Sequence, residues 1–155
     1  MIDLALYQPD IPQNAGTLLR LGACLGVTIH IIEPAGFRLD DRALRRAGMD
    51  YLDRAALCRH DSWSAFNAAR RAAGRRLVLL TTQAETPYAD LIYRKDDILL
   101  LGQESAGVPP EIHAAADARV RIPMAQGVRS LNIAVAASMV LGEVLRQTDG
   151  FIKEA

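Results

Sequence analysis

The stretches LVLL (77–80) and ILLL (98–101) are apolar without interruption and shorter than an ordinary helix. A strand with one wet face alternates polar and apolar residues. An unbroken run therefore belongs to a strand covered on both faces, the habit of parallel sheets flanked by helices. This feature narrows the chain to an α/β protein with a mostly parallel sheet and helices on both faces. In their flanks the two runs read RLVLLTT (76–82) and DILLLG (97–102), and three more fit the same sheet: IDLALY (2–7), VTIHII (27–32) and ARVRIP (118–123). The intervening segments carry helix signals. Asp10 with Gln13 three residues on makes a capping-box-like start, and Pro12 falls in the first turn, which predicts a helix over 11–25. Further helices are predicted over 42–47, 63–73 and 110–116, and a long one runs from Ser130, its expected N-cap, to Gln147. In such sheets ligands bind beyond the carboxyl ends of the strands.

With 155 residues, half of them hydrophobic, the chain can bury a core as one domain without disulfides or metals. Its 18 basic and 18 acidic residues cancel, yet unevenly. Residues 37–76 hold ten Arg against five Asp, so a basic region lies beside an acidic remainder. Cys24 and Cys58 are isolated, lack CxxC spacing and sit among apolar residues, so both are expected to be buried, reduced and not bound to zinc. The start MIDLALYQPD has no basic region ahead of its apolar run, and no run reaches membrane-spanning length; a cytosolic protein is expected.

Three stretches carry chemistry. In DIPQNAGTLLR (10–20), Ile11, Ala15, Leu18, Leu19 and Gly22 form a core face, while Gln13, Thr17 and Arg20 share another stripe. Asn14 and Arg20 are thus held on a rigid helix, and Gly16, which weakens that helix by about 0.5–1 kcal/mol relative to Ala, implies a close approach. In LLLGQESAGVPPE (99–111) a buried strand ends at Gly102, and a loop with Gly107 leads to a proline-started helix. The glycine spacing matches neither a dinucleotide fingerprint nor a phosphate loop. Glu104 lies where an acid can hold an arginine or a ligand amine. In RIPMAQGVRSLNIAVAASMVLGEVLRQ (121–147) the helix is apolar nearly all round, more than so small a domain buries alone, which predicts a homodimer using this helix and the first. Asn132, in the expected first turn, is predicted to be buried and hydrogen-bonded. His30, His60 and His113 show no catalytic spacing, and no nucleophile elbow, metal-binding helix motif or carboxylate pair is apparent.

Taken together, NAGTLLR, LGQESAGVP and RIPMAQGVRSLN, in this order and spacing, resemble the three motifs of the SpoU branch of SPOUT RNA 2′-O-methyltransferases. LYQPDIPQNAG and HIIEPAGFRLDDRALRRAGMDY look more narrowly like the minimal subfamily that methylates the wobble ribose at position 34 of certain leucine tRNAs. The resemblance covers almost the whole chain. It implies a trefoil knot in the C-terminal half, a homodimer, an S-adenosylmethionine site built from the knot loops, and no metal. Carried over by motif, Leu80, Gly102, Ile122 and Ser130 would contact the cofactor, and Asn14, Arg20, Glu104 and Asn132 match the functional polar positions. Arg42, Arg45, Arg46 and Arg129 would hold the tRNA backbone. Two positions depart from the subfamily as known: Gly142 stands where a Tyr is frequent and Ala134 where a Ser is. The motifs read cofactor and chemistry rather than target, which leaves open another tRNA position, ribosomal RNA, or a non-catalytic RNA-binding dimer.

Overall fold

The computed structural model describes residues 1–38, 42, 46 and 54–154. Six strands, β1 (Asp3–Tyr7), β2 (Thr28–Ile32), β3 (Leu57–His60), β4 (Leu77–Leu80), β5 (Ile98–Leu101) and β6 (Ala118–Val120), form one sheet in the order β3-β2-β1-β5-β4-β6. Every pairing is parallel. The helices are α1 (Pro12–Leu25), α2 (Trp63–Ala72), α3 (Pro110–Ala115) and α4 (Ile133–Thr148). None is long and apolar enough to cross a membrane among the described residues.

Strand periodicity explains the layers. Leu4, Leu6, Val78, Leu99 and Leu101 face one way, into a core closed by Ala15, Leu18 and Leu19 of α1 and Ala137, Val140, Leu141 and Val144 of α4. Their neighbours Ala5, Tyr7, Leu77, Leu79, Ile98 and Leu100 face the other way, against Phe66 of α2 and Ile112 of α3. Both faces are dry, so the unbroken apolar runs need no alternation. Each Leu so buried contributes roughly 1.5–3 kcal/mol.

Several expectations need correction. β3 falls outside the expected strands, because it is an edge strand whose Cys58 and Arg59 are exposed. Both cysteines are exposed rather than buried: Cys58 lies on that edge and Cys24 on the outer side of α1. Asp10 does not cap α1; Ile11 occupies the N-cap with no side-chain bond. On the core face of α1, Ile11 is the exception, 39% exposed, and Gly16 is buried. A tight contact on this helix falls at Gly22, where a Cβ would lie 2.7 Å from the Val27 carbonyl oxygen. The last helix starts at Ile133, not Ser130, since Asn132 is the true N-cap, accepting from the amides of Ala134 (2.9 Å) and Val135 (3.3 Å). Asn132 is accordingly exposed, not buried.

A belt of ion pairs crosses the amino-terminal edge of the sheet. Arg75 pairs with Asp3 and donates to the Met1 carbonyl (2.7 Å), Arg76 pairs with the fully buried Asp97 (2.6 Å), and Arg70 pairs with Asp117 (2.7 Å). Beside it, Asp3 bonds His30 Nε2 (3.0 Å), whose Nδ1 meets His60 Nε2 (2.9 Å), so two of the histidines are paired in space. Burial pushes the Asp3 carboxyl up, but its bonds to His30 and Arg75 outweigh that and hold it below 3.8; burial, aided by His30, depresses His60 below 6.5. A depressed group binds protons more weakly folded than unfolded. Its contribution is therefore complete above the ordinary value and lost as pH falls through the folded one. On acidification the melting temperature is expected to fall in two stages, His60 first, below 6.5, and then the depressed carboxyls Glu33, Glu143 and Asp3 together, below 4.5. In thermal melts across this range, His60→Gln should abolish the first stage alone.

Candidate active site

Beyond the carboxyl ends of β4 and β5, a cavity of about 260 Å³ is walled by the loops that follow β4, β5 and β6. Leu80, Gly102, Ile122 and Ser130, the four expected cofactor residues, all line it, with Glu104 and Gly107 beside them. Ser130, released from the capping role, sits in the loop before α4 as part of the wall.

The cavity depends on a backbone crossing. Gln103 and Gly107 exchange two backbone hydrogen bonds of 2.9 Å, folding the loop after β5 back on itself. A Cβ on Gly102 would lie 2.6 Å from the Gly107 carbonyl carbon, and Gly107 itself has φ +65°, the left-handed region that favours glycine. The loop can therefore bring bare peptide groups to the cavity wall. Its largely apolar lining suits a flat heterocycle, and the described residues hold no group of three or more His, Cys, Asp or Glu placed for a metal.

At its wall three distant segments join through Asn14. Its Nδ2 donates to Glu104 Oε1 (3.4 Å), and its Oδ1 accepts from Asn132 Nδ2 (3.0 Å). Asn132 thereby caps α4 with its oxygen and ties α4 to α1 with its nitrogen. Glu104 also accepts from the Asp10 amide (3.2 Å), and Ser105 donates to the Asp10 carboxylate. Asp10 and Glu104 thus form a carboxyl pair that the sequence did not reveal, since 94 positions separate them. Burial and then the neighbouring Asp10 raise Glu104 above the ordinary carboxyl value, while Glu104 and Ser105 hold Asp10 below it. Asp10 Oδ1 is buried and has no partner among the described residues.

Three of the four expected polar residues are brought together: Asn14, Glu104 and Asn132. Arg20 is exposed on α1, six residues past Asn14, and is not among the residues lining the cavity. Of the expected RNA contacts, Arg42, Arg46 and Arg129 are exposed, and Arg45 lies outside the described residues.

Residues 1–142 match the model of the SpoU rRNA Methylase family. A tRNA (cytidine(34)-2′-O)-methyltransferase from Beijerinckia indica is 65% identical over 97% of this chain and 94% of its own length. A solved structure described as giving structural insights into the 2-OH methylation of C/U34 on tRNA superposes with a TM-score of 0.90 at 43% identity, covering 95% of each chain. An AdoMet-bound rRNA methyltransferase from Sinorhizobium meliloti superposes at 0.86 and 29% identity, over 94% of this chain and 56% of that one. With three motifs converging on one cavity and a family match across most of its length, the chain belongs to the SpoU methylase family.

Proposed function

We propose that this protein transfers a methyl group from S-adenosylmethionine to the ribose 2′-OH of the wobble nucleotide 34 of tRNA, a cytidine or 5-modified uridine in leucine tRNAs. The observation that carries this reading is the convergence of the motif residues of three segments on a single cavity beside the Asn14–Glu104–Asn132 chain. Relatives of this sequence over nearly its full length support the choice of nucleotide. A single methyltransferase domain over 1–155, a trefoil knot in the C-terminal half, a cytoplasmic site of action and a metal-free reaction belong to the same reading.

Leu80, Gly102, Ile122 and Ser130 would hold S-adenosylmethionine, which supplies a methyl group already activated on a sulfonium. The chain's own task is to align the hydroxyl and manage its proton. Arg20 cannot accept that proton, because a guanidinium stays protonated and has no acceptor. Its role is to clamp a neighbouring phosphate and stabilise the developing alkoxide, the proton leaving to the phosphate or to water. Asn14 and Glu104 position Arg20 and the ribose, and Ser130 and Asn132 order the loop before α4.

The protein acts as a homodimer in this reading. Leu131, Val135 and Met139, four residues apart before and along α4, are 40–51% exposed, a stripe that a second copy would cover together with the start of α1. Gly142 adds open space on the same helix, with nothing within 4 Å of a built Cβ. Light scattering should give a dimer mass, and Met139→Glu should weaken the dimer by at least about 2 kcal/mol, roughly 30-fold in dissociation constant. The reaction itself is tested by incubating labelled S-adenosylmethionine with total tRNA and mapping the 2′-O-methyl site. Transfer to nucleotide 34 supports the assignment; binding without transfer marks a non-catalytic RNA-binding dimer.

A further inference from the structure

We infer that the cleft at the amino-terminal edge of the sheet is a second phosphate site, holding an RNA backbone phosphodiester remote from the nucleotide being methylated. The inference rests on RNA being the substrate, as proposed above. The cleft, of about 600 Å³, is lined by Arg70, Arg71, Arg75, Arg76, Arg94 and a single acid, Asp117. That acid is already engaged, accepting from Arg70 (2.7 Å) and from the Leu77 amide (2.7 Å).

Three of the arginines are fixed parts of the fold. Arg70 also donates to Asn67 Oδ1 (2.8 Å) and the Ala115 carbonyl (3.2 Å), Arg75 pairs with Asp3, and Arg76 grips both oxygens of Asp97 (2.7 and 2.6 Å). Edge stapling accounts for these three. It does not account for Arg71 and Arg94, which are exposed and make no ion pair among the described residues. Set against their ion-pair partners Asp3, Asp97 and Asp117, the five cations leave Arg71 and Arg94 without a paired acid among the described residues, with Asp96, near enough to act on Arg76, as a further acid beside them. Arg76 adds donors, since its Nη1 has no acceptor among the described residues. Guanidiniums held rigid by carboxylates and carbonyls, joined by two more without a paired acid, form a site for a divalent or monovalent oxyanion, and phosphate fits the planar fork of donors.

Position selects the source of that phosphate. Arg76 immediately precedes β4, whose far end at Leu80 walls the methyl-transfer cavity. Four strand residues separate the two, roughly 13 Å at about 3.3 Å per residue. A phosphate in the cleft therefore belongs to a part of the RNA away from the reacting ribose. Arg70, Arg71, Arg75 and Arg76 all come from the basic region 37–76.

The test is the double variant Arg71→Gln/Arg94→Gln in the full chain, with tRNA binding followed by fluorescence anisotropy at several salt concentrations. The expected result is tRNA affinity at least about tenfold lower and a shallower dependence on salt, by about one unit of slope for each phosphate that is no longer neutralised, with S-adenosylmethionine affinity by calorimetry unchanged. Because both side chains are exposed and lack ion pairs, the melting temperature serves as the check that the variant is folded. A folded variant with unaltered affinity and salt slope overturns the inference. So does a cleft that takes inorganic phosphate saturably, in a thermal shift lost in the variant, while tRNA binding stays the same. If wild-type protein binds tRNA in a variant-sensitive way but leaves nucleotide 34 unmethylated, the assigned reaction falls and the cleft stands; methylation with tRNA binding indifferent to the variant gives the reverse.

Discussion

Arg20→Ala is expected to lower turnover by about 10²–10³-fold while S-adenosylmethionine binding, followed by calorimetry, stays at the wild-type level. The size is that of removing one preorganised donor from a developing negative charge. Separation of the two readouts follows from position: Arg20 projects from α1 and is not among the residues lining the cavity, so truncating it leaves the wall of Leu80, Gly102, Ile122 and Ser130 in place. Arg20→Lys keeps the charge and loses the planar fork, and should recover part of the rate. Parallel loss of cofactor binding and turnover would mark Arg20 as a structural residue.

Gly102→Ala should have the opposite signature, with loss of cofactor affinity and of activity together. The added Cβ would meet three backbone atoms of Gly107 at 2.6, 2.8 and 2.9 Å, and backbone cannot swing aside as a side chain does. Relief requires parting the Gln103–Gly107 crossing that shapes the cavity. Overpacking of this kind costs about 1–3 kcal/mol, which corresponds to roughly 5- to 150-fold in affinity if it is drawn from binding. Gly107→Ala is the control. Nothing lies within 4 Å of its built Cβ, so only the positive φ is penalised, by about 1 kcal/mol, and binding should suffer less. Titration calorimetry of the two variants separates these outcomes.

The sheet was legible wherever burial is complete. β1, β4 and β5 announce themselves because both of their faces are dry, and the order of the three motifs along the chain gave the residues of the cavity wall. β3 was illegible because an edge strand with exposed Cys58 and Arg59 carries a polar pattern. With Ser130 read as the cap, Asn132 falls inside the first turn of the expected helix, and only the geometry of the Ala134 and Val135 amides reveals that Asn132 is the cap itself. The Asp10–Glu104 and His30–His60 pairs could not be read at all, as spatial neighbours far apart in the chain leave no trace in local spacing.

The belt joining Asp3, Arg75, Arg76, Asp97, Arg70 and Asp117 fastens the beginnings of the strands, whereas their far ends are finished by loops and glycines. Opening at the starts of β1, β4, β5 and β6 would break buried ion pairs, so local opening is expected to favour the opposite rim, where a bulky guest must enter. Breathing at one rim need not disturb the register set at the other.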